Sequence, residues 1–328
     1  RDLHKEYRRQ RQMWIRDRTN SDGCFNLGYV QSGDVIYLTH ANYPVYKLSR
    51  FGNTNWTMTA VSFTNGPFKD QNKTKSLTVY ASAVSGTITL TASSSLFSAG
   101  MVGSLFYLEP ADLSTIRPWY AGQEFGSGGN PLNAIRRSDG KTYQCVTNYT
   151  PPAGFVARTG ASKPIHTSGI AYDGDGNGRQ GTTVTMEGLG WQFVDVGYGY
   201  VKITGYTSPT QVTAVVSGDY NLPAGVVGAG NATFRWALGA WSAVEGYPEN
   251  VTFFRERLTF SKGTKLYFSV SGDFENFASK DDTGQIVADR AIQITLSSDH
   301  VDNIEWLIPS QALLIGTASQ EFVCSENT

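Results

Sequence analysis

Glycine and proline interrupt this chain so often that long helices have little room to form. Its 328 residues include 35 Gly and 12 Pro, and only 17% are charged. Between the breaks lie short runs that alternate apolar and polar residues, such as Thr87–Thr91, Val201–Thr204 and Ile292–Leu296. Alternation places one face of a strand on a core and the other in water. We therefore predict an all-β protein in which only residues 3–18 are helical.

Three segments share a plan of strand, short polar turn and strand. They are Asp34–Arg50, Arg257–Val270 and Asn303–Val323. Hairpins of this kind, followed by Gly-Thr or Ser-Gly-Asp, are typical of β-propeller blades. An ordinary antiparallel sandwich shows the same alternation and stays open as an alternative. We expect a β-propeller-like blade domain.

The middle of the chain differs from these segments. From residue 72 to residue 222 it is richer in Ser, Thr and Gly, and its apolar runs are shorter. We interpret this region as an inserted β-rich barrel or sandwich domain. The predicted organisation is a basic, partly helical N-terminal arm in residues 1–27, first propeller-like strands in 28–71, the insertion in 72–222 and a return to propeller-like strands in 223–328.

Charge is distributed unevenly along the chain. The net charge is −1, but residues 1–18 carry +4 and the remaining residues −5. A basic arm can contact nucleic acid or an acidic partner, or it can be a solvated helix end with ion pairs between turns. The rest of the chain lacks the basic excess of a dedicated DNA-binding surface. Because the chain begins at Arg1 rather than Met, we expect it to be a piece of a longer product.

One acidic loop has part of the pattern of a calcium site. Asp173, Asp175 and Asn177 stand at positions 1, 3 and 5 of such a loop, with Gly178 at position 6. Position 12, where a bidentate Glu is needed, is Val184. Asp-Gly and Asn-Gly repeats also form tight turns, because these residues tolerate positive φ. We expect a turn, with the two Asp and the Asn as weak metal candidates, and no cofactor.

Groups that carry out catalysis in other proteins form no motif here. The four His residues make no metal-binding or nucleophile pattern, and no phosphate-binding loop is present. Cys24, Cys145 and Cys324 are odd in number and far apart, which indicates buried thiols. A carboxylate pair for glycoside hydrolysis stays open, because only the fold can bring one together. We predict that the chain is not an enzyme.

Aromatic side chains concentrate in two neighbouring runs, Phe234–Ser242 and Val251–Leu258. Trp and Tyr beside Gly and Ser can form a platform on which a sugar or a base stacks. A packed core with a subunit interface is the other explanation, because consecutive aromatic residues on a strand face opposite sides and one of them must be buried. We favour the second. The residues assigned to core or interface are Trp236, Trp241, Phe253, Phe254, Arg255, Arg257 and Trp306.

The aromatic runs are part of an ordered series of motifs. Its members are Gln31–His40, Pro44–Leu48, His166–Gly169, Trp236–Ser242, Gly246–Pro248, Phe253–Leu258, Phe268–Phe277, Ile304–Pro309 and Leu313–Thr317. This series resembles the tail-tube or nozzle proteins of short-tailed bacteriophages and their prophage relatives. The resemblance covers roughly residues 28–328 and is most specific over 234–324. Its motifs are structural, so it implies a fold and a role rather than a site.

The resemblance implies a structural virion protein that forms a ring-shaped tail nozzle or tube and seals and conducts genome DNA during ejection. The ring would hold six copies, below the portal and adaptor proteins and in contact with tail fibre or spike proteins. Double-stranded DNA would pass through it transiently, and weak binding is expected because strong phosphate pairing would stall ejection. The protein would be made in the host cytoplasm and reside in the phage tail, without a membrane-spanning segment. The alternative is a carbohydrate-binding or carbohydrate-cleaving phage tail component.

Overall fold

The described part of the chain consists of strands and turns. The computed structural model describes residues 26–125, 133–146, 156–174, 185–218, 220–281, 286–297 and 302–325. Within those ranges the helices are three single 3-10 turns, at Ala99–Met101, Ala224–Val226 and Ala229–Asn231. The fold is therefore all-β, as predicted. The helix predicted for residues 3–18 lies outside the described residues.

The strands are short, as the spacing of Gly and Pro requires. The first twelve are β1 (Gly28–Ser32), β2 (Val35–His40), β3 (Tyr43–Gly52), β4 (Asn55–Ala60), β5 (Val79–Ala81), β6 (Thr87–Ala92), β7 (Leu105–Leu108), β8 (Glu124–Phe125), β9 (Ile135–Ser138), β10 (Lys141–Cys145), β11 (Val156–Arg158) and β12 (Ile170–Tyr172). The next twelve are β13 (Thr185–Glu187), β14 (Gly190–Asp195), β15 (Gly199–Ser208), β16 (Gln211–Ser217), β17 (Trp236–Leu238), β18 (Asn250–Phe254), β19 (Arg257–Lys262), β20 (Lys265–Phe268), β21 (Ile292–Thr295), β22 (Ile304–Pro309), β23 (Leu313–Thr317) and β24 (Glu321–Cys324). Among these, β11 and β13 pair parallel.

Contacts between residues divide the chain into two units. The first comprises the residues up to Phe63, Glu245–Phe277 and the residues from Ala291 onward, and the second comprises Thr64–Val244 and Ala278–Arg290. The second unit therefore interrupts the first in sequence. It contains the residues 72–222, for which an inserted domain is predicted, and continues beyond them to Val244.

The first unit contains three antiparallel sheets, each built from strands that follow one another in the chain. They are β1 to β4, β18 to β21 and β22 to β24. The three segments predicted as hairpins form β2–β3, β19–β20 and β22–β24, which confirms their pairing. One core cluster of this unit is made of Phe254, Leu266, Phe268, Ile304, Leu313 and Ile315.

The second unit is organised around a six-stranded sheet with the order β17-β7-β15-β16-β6-β5. β7 lies between two strands that come much later in the chain: Phe106 is opposite Val201 on one side and Leu238 on the other. The pairing of β17 with β7 explains why residues 223–244 belong to this unit. The buried side of the sheet includes Leu90, Phe106, Val201, Ile203 and Val212.

A second core in the same unit lies at two smaller sheets, β12-β14-β10-β9 and β13-β11-β8. Its buried residues are Phe125, Tyr143, Cys145, Ala157, Leu189 and Trp191. Cys145 is buried, as predicted, whereas Cys324 is partly exposed. Cys24 lies outside the described residues.

Trp236 fixes β17 to the core of the six-stranded sheet. Its indole stacks on the ring of Phe106 with the centroids 5.5 Å apart. Its Nε1 donates a hydrogen bond to the carbonyl of Leu77 at 2.9 Å. The Trp236 side chain is thus buried, at 6% exposure, and its indole N–H still has a hydrogen-bond acceptor.

Replacing Trp236 with Ala should lower the free energy of unfolding by about 3–5 kcal/mol, because it deletes a large core aromatic and leaves a cavity beside Phe106. Tyr172→Ala is the control, since Tyr172 is an aromatic residue of the same unit that is 58% exposed. Its loss should cost less than about 1 kcal/mol. Urea denaturation of both variants measures the difference. Equal losses would contradict the packing described.

Candidate functional site

Trp236 and Trp241, which a sugar-stacking platform would need, lie inside the second unit. They are 6% and 9% exposed. Gly239 between them packs so closely on β7 that a Cβ there would come within 2.9 Å of the Leu105 carbonyl oxygen. This approach brings the segment that carries both indoles onto the sheet. Neither ring offers an open face to a ligand.

Phe253 and Phe254 lie on opposite sides of β18. Phe254 is 7% exposed and belongs to the core of the first unit. Phe253 packs edge-on against Phe274 and Tyr37, with centroid distances of 4.8 and 6.2 Å. Both rings are therefore used in packing within the chain.

Two arginines of the adjoining hairpin hold neighbouring segments together. Arg255 has a positive φ of 48° and lies in the two-residue turn between β18 and β19. Its guanidinium carbon is 5.4 Å from the Phe254 ring centroid, and its Nη2 donates to the Gln311 carbonyl at 3.3 Å. Arg257 is buried and donates from Nη1 to the Ser269 carbonyl at 2.5 Å. The hairpin thus contacts the motif Phe268–Phe277 and the turn between β22 and β23.

Trp306 explains one glycine of the last motif. Trp306 is directly opposite Gly316 in the pairing of β22 with β23. A Cβ at Gly316 would lie only 1.9 Å from the Trp306 indole. The indole therefore covers the glycine, and the two residues form one structural pair.

Asp173, the first residue of the acidic loop predicted to be a turn and a weak metal candidate, accepts hydrogen bonds from four N–H groups. Its Oδ1 accepts from the backbone N–H of Gly160 at 2.9 Å and of Leu189 at 2.7 Å. Its Oδ2 accepts from the indole N–H of Trp119 at 2.9 Å and of Trp191 at 2.7 Å. A carboxylate has about four acceptor positions, so these donors fill it. The side chain is an internal anchor, and it is 1% exposed.

The rest of the calcium pattern lies outside the residues that the structure describes. Asp175 and Asn177 are not among the described residues. In the ranges that are described, no group of three or more His, Cys, Asp or Glu side chains is placed to hold a metal ion. Asp173 alone is placed, and its oxygens already face N–H donors.

A cavity of about 350 Å³ lies in the second unit. Its walls come from the loop after β7, from β9, β10 and β14, and from the two 3-10 turns that precede β17. The polar side chains in its lining are Asp112, Thr115, Thr142, Asp195 and Asn231. Pro, Leu, Ile and Val side chains make up much of the remainder. This mixture of apolar walls with a few polar groups is typical of small-molecule pockets.

Asp195 is the buried acid of this cavity and is 4% exposed. It is opposite Thr142 in the pairing of β10 with β14, where the register shifts. The Gly197 N–H donates to its Oδ1 at 2.8 Å, and the Thr142 hydroxyl donates a second hydrogen bond. Burial raises the pKa of Asp195 above its ordinary 3.8, and these two hydrogen bonds oppose the rise.

Asp112 at the cavity rim behaves in the opposite way. It is exposed, and hydrogen bonds from the side chain and backbone of Ser114 hold the pKa of Asp112 below its ordinary value. No sequence motif marks either carboxylate. The sequence signal for this site is weak. Asp195 follows the mostly apolar run Gly190–Val194, and nothing local connects it with Thr142 or Asp112, which come from distant segments.

Comparison with known proteins gives no relative from which function could be transferred. No protein-family model matches the chain, and no curated protein is significantly similar to it. Across the described ranges, no helix has both the length and the apolar character needed to cross a membrane. Function therefore has to be argued from the residues themselves.

Asp173→Asn should strongly destabilise the chain. The substitution puts an NH₂ group where two N–H donors point, which leaves two buried donors without an acceptor at a cost of about 1–3 kcal/mol each. The free energy of unfolding should therefore fall by about 2–6 kcal/mol. Asp139→Asn is the control, because Asp139 lies in an exposed turn and makes a surface ion pair with Lys163. Urea denaturation of both variants tests this, and similar small losses would rule out the anchor role.

Asp195→Asn should act differently, and its effect should depend on pH. Because the pKa of Asp195 is raised in the fold, the folded chain holds this proton more tightly than the unfolded chain. The contribution of Asp195 to stability therefore decreases as pH rises from its unfolded pKa through its folded pKa. Asn carries no charge, so the stability of the variant relative to wild type should increase over that interval. Urea denaturation of both proteins across a pH series measures this difference in stability. A decrease in the stability of the variant relative to wild type as pH rises would show that the fold favours the ionised carboxylate.

Proposed function

We propose that this chain is a structural virion protein, a subunit of the ring-shaped tail nozzle or tube through which the DNA of a short-tailed phage leaves. Two features support the proposal: the ordered motif series, and the three antiparallel meanders of the first unit, since meanders of this kind are also the units of propeller blades. In this proposal the first unit is the propeller-like domain. The second unit is the inserted barrel or sandwich domain and lies on the outside of the ring, as peripheral decorations do.

The observation that carries the proposal is the sheet β1–β4, which has one packed face and one apolar face left open. Tyr37 and Val45 are buried on the packed face, at 5% and 2% exposure. On the other face Tyr29, Trp56 and Met58 are 72%, 48% and 59% exposed. Cross-strand pairs place partly exposed Ile36, Leu38, Tyr46 and Leu48 on the same face. Contiguous apolar surface of this kind marks a contact site.

The outer edge of the same sheet is also open. β4 is a terminal strand of the sheet, and all six of its residues are exposed. Val61 N–H donates to the Val45 carbonyl at 2.8 Å, which shows which residue pairs of β3 and β4 are hydrogen-bonded and which are not. In an antiparallel pair this turns the peptide groups of Trp56, Met58 and Ala60 away from β3. Open strand edges pair readily with another chain. We assign this edge and the adjoining face to a second copy of the chain.

The position of the aromatic cluster favours this role over the carbohydrate alternative. The indoles that would form a stacking platform are buried, and the arginines beside them bind carbonyl groups of the same chain. The charge balance also fits, since the −5 carried outside residues 1–18 suits a lumen that must let DNA slide.

Met58→Lys should weaken assembly, because it places a charge on the open apolar face. Thr57→Lys is the matched control: it adds the same charge on the same strand, but on the opposite face. The wild-type chain and the Thr57 variant should form a species of about six times the single-chain mass, and electron micrographs should show a ring with a central pore. The Met58 variant should shift towards smaller species. Light scattering after size-exclusion chromatography measures all three.

A single-chain mass for the wild type at every concentration would overturn the proposal. The same samples should then enter a glycan-binding and glycan-hydrolysis screen. Glycan binding or cleavage by a chain that does not assemble would select the carbohydrate alternative.

A further inference from the structure

The cavity in the second unit is lined by aliphatic side chains, with one carboxylate buried in its wall and a second exposed at its rim. Its lining contains two carboxylates, Asp112 and Asp195, and no Lys, Arg or His side chain. Arg137, beside Asp112, directs its Nη1 to the Leu113 carbonyl at 3.2 Å and also lowers the pKa of Asp112. Asp195 is therefore the carboxylate of the cavity that lacks a basic neighbour in the wall.

Asp195 also retains capacity to accept hydrogen bonds. The Gly197 N–H and the Thr142 hydroxyl occupy two of its acceptor positions. A carboxylate has about four such positions, so about two remain. This distinguishes Asp195 from Asp173, whose oxygens face four donors. A buried carboxylate is costly unless it is paired, and a bound cation supplies the missing pair.

We propose that this cavity binds a small organic cation, a primary ammonium group on a short aliphatic body, with the ammonium group on Asp195. Leu113, Ile116, Ile135 and Val194 would surround the aliphatic part. All of the cavity's lining lies in the second unit.

Size and chemistry exclude other ligand classes. A volume of about 350 Å³ lies near the lower end of the range for small-molecule pockets, so the cavity suits a ligand of modest size. Anions are disfavoured by the two carboxylates. Sugars usually stack on aromatic rings, and the lining has no aromatic side chain.

Three probes with the same four-carbon body separate the contributions of charge and shape. Butylammonium, 1-butanol and butyrate are each titrated into the full chain, and binding is followed by saturation-transfer difference NMR. Butylammonium should bind at least about tenfold more tightly than 1-butanol, as expected for a charge-assisted hydrogen bond. Butyrate should bind more weakly than either.

Two variants test the assignment to the cavity, and thermal melts check that each is folded. Asp195→Asn should reduce the butylammonium affinity about tenfold, to the level of the alcohol. Asp34→Asn, at an exposed turn outside the cavity, should leave it unchanged. Gly230→Leu should block all three probes, because Gly230 lines the cavity and a Cβ there meets no atom within 4 Å.

The proposal is overturned by any of three results. The first is 1-butanol or butyrate binding as tightly as butylammonium. The second is no transfer to any probe. The third is an unchanged butylammonium affinity in a folded Asp195→Asn or Gly230→Leu variant. If neither variant folds, the comparison of the three probes on the wild-type chain still tests whether the cavity prefers a cation.

Discussion

The pairing of β7 with two strands from much later in the chain holds the second unit together. β7 lies between β15 and β17, so its backbone groups are satisfied on both edges, as buried strands require. The loop that follows β7 and the two 3-10 turns that precede β17 are thereby brought side by side, with Glu109 N–H bonded to the Arg235 carbonyl at 3.0 Å. These are the segments that form one side of the cavity. The candidate ligand site is thus a consequence of one non-local strand pairing.

Local patterns in the sequence are enough to predict where individual strands form. Alternation in Thr87–Thr91 and Ile292–Leu296 predicts strands, and the structure has β6 and β21 there. The extent of the second unit follows from the pairing of β17 with β7, which no local pattern signals. The same holds for the cavity, because Thr142 meets Asp195 only after β10 pairs with β14. The spacing around Asp173 predicts a turn with part of a calcium pattern, and it gives no sign of the hydrogen-bond donors, the Trp119 and Trp191 indoles among them, that come from other segments.

The two buried carboxylates of the second unit show how hydrogen-bond donors decide what an acid can do. Asp173 faces two backbone and two indole N–H groups, so its acceptor positions are filled from within the fold. Asp195 receives one N–H and one hydroxyl, and burial raises its pKa. Both residues are almost fully buried, at 1% and 4% exposure. Burial alone would have grouped them together, and only the count of donors separates an anchor from a group with capacity for a ligand.

The symmetry of a ring restricts what β4 can contact. If β4 met a second β4, the contact would be isologous and would stop at two copies. A closed ring with a central pore needs a heterologous contact, in which β4 meets a different surface of its neighbour. β1 is the opposite edge of the same sheet and is partly exposed along its length. At its start, however, Gly28 lies against the chain before β18, since a Cβ there would be 2.7 Å from the Glu249 carbonyl oxygen. In the proposed ring, β4 would therefore meet the later part of β1, from Tyr29 to Ser32.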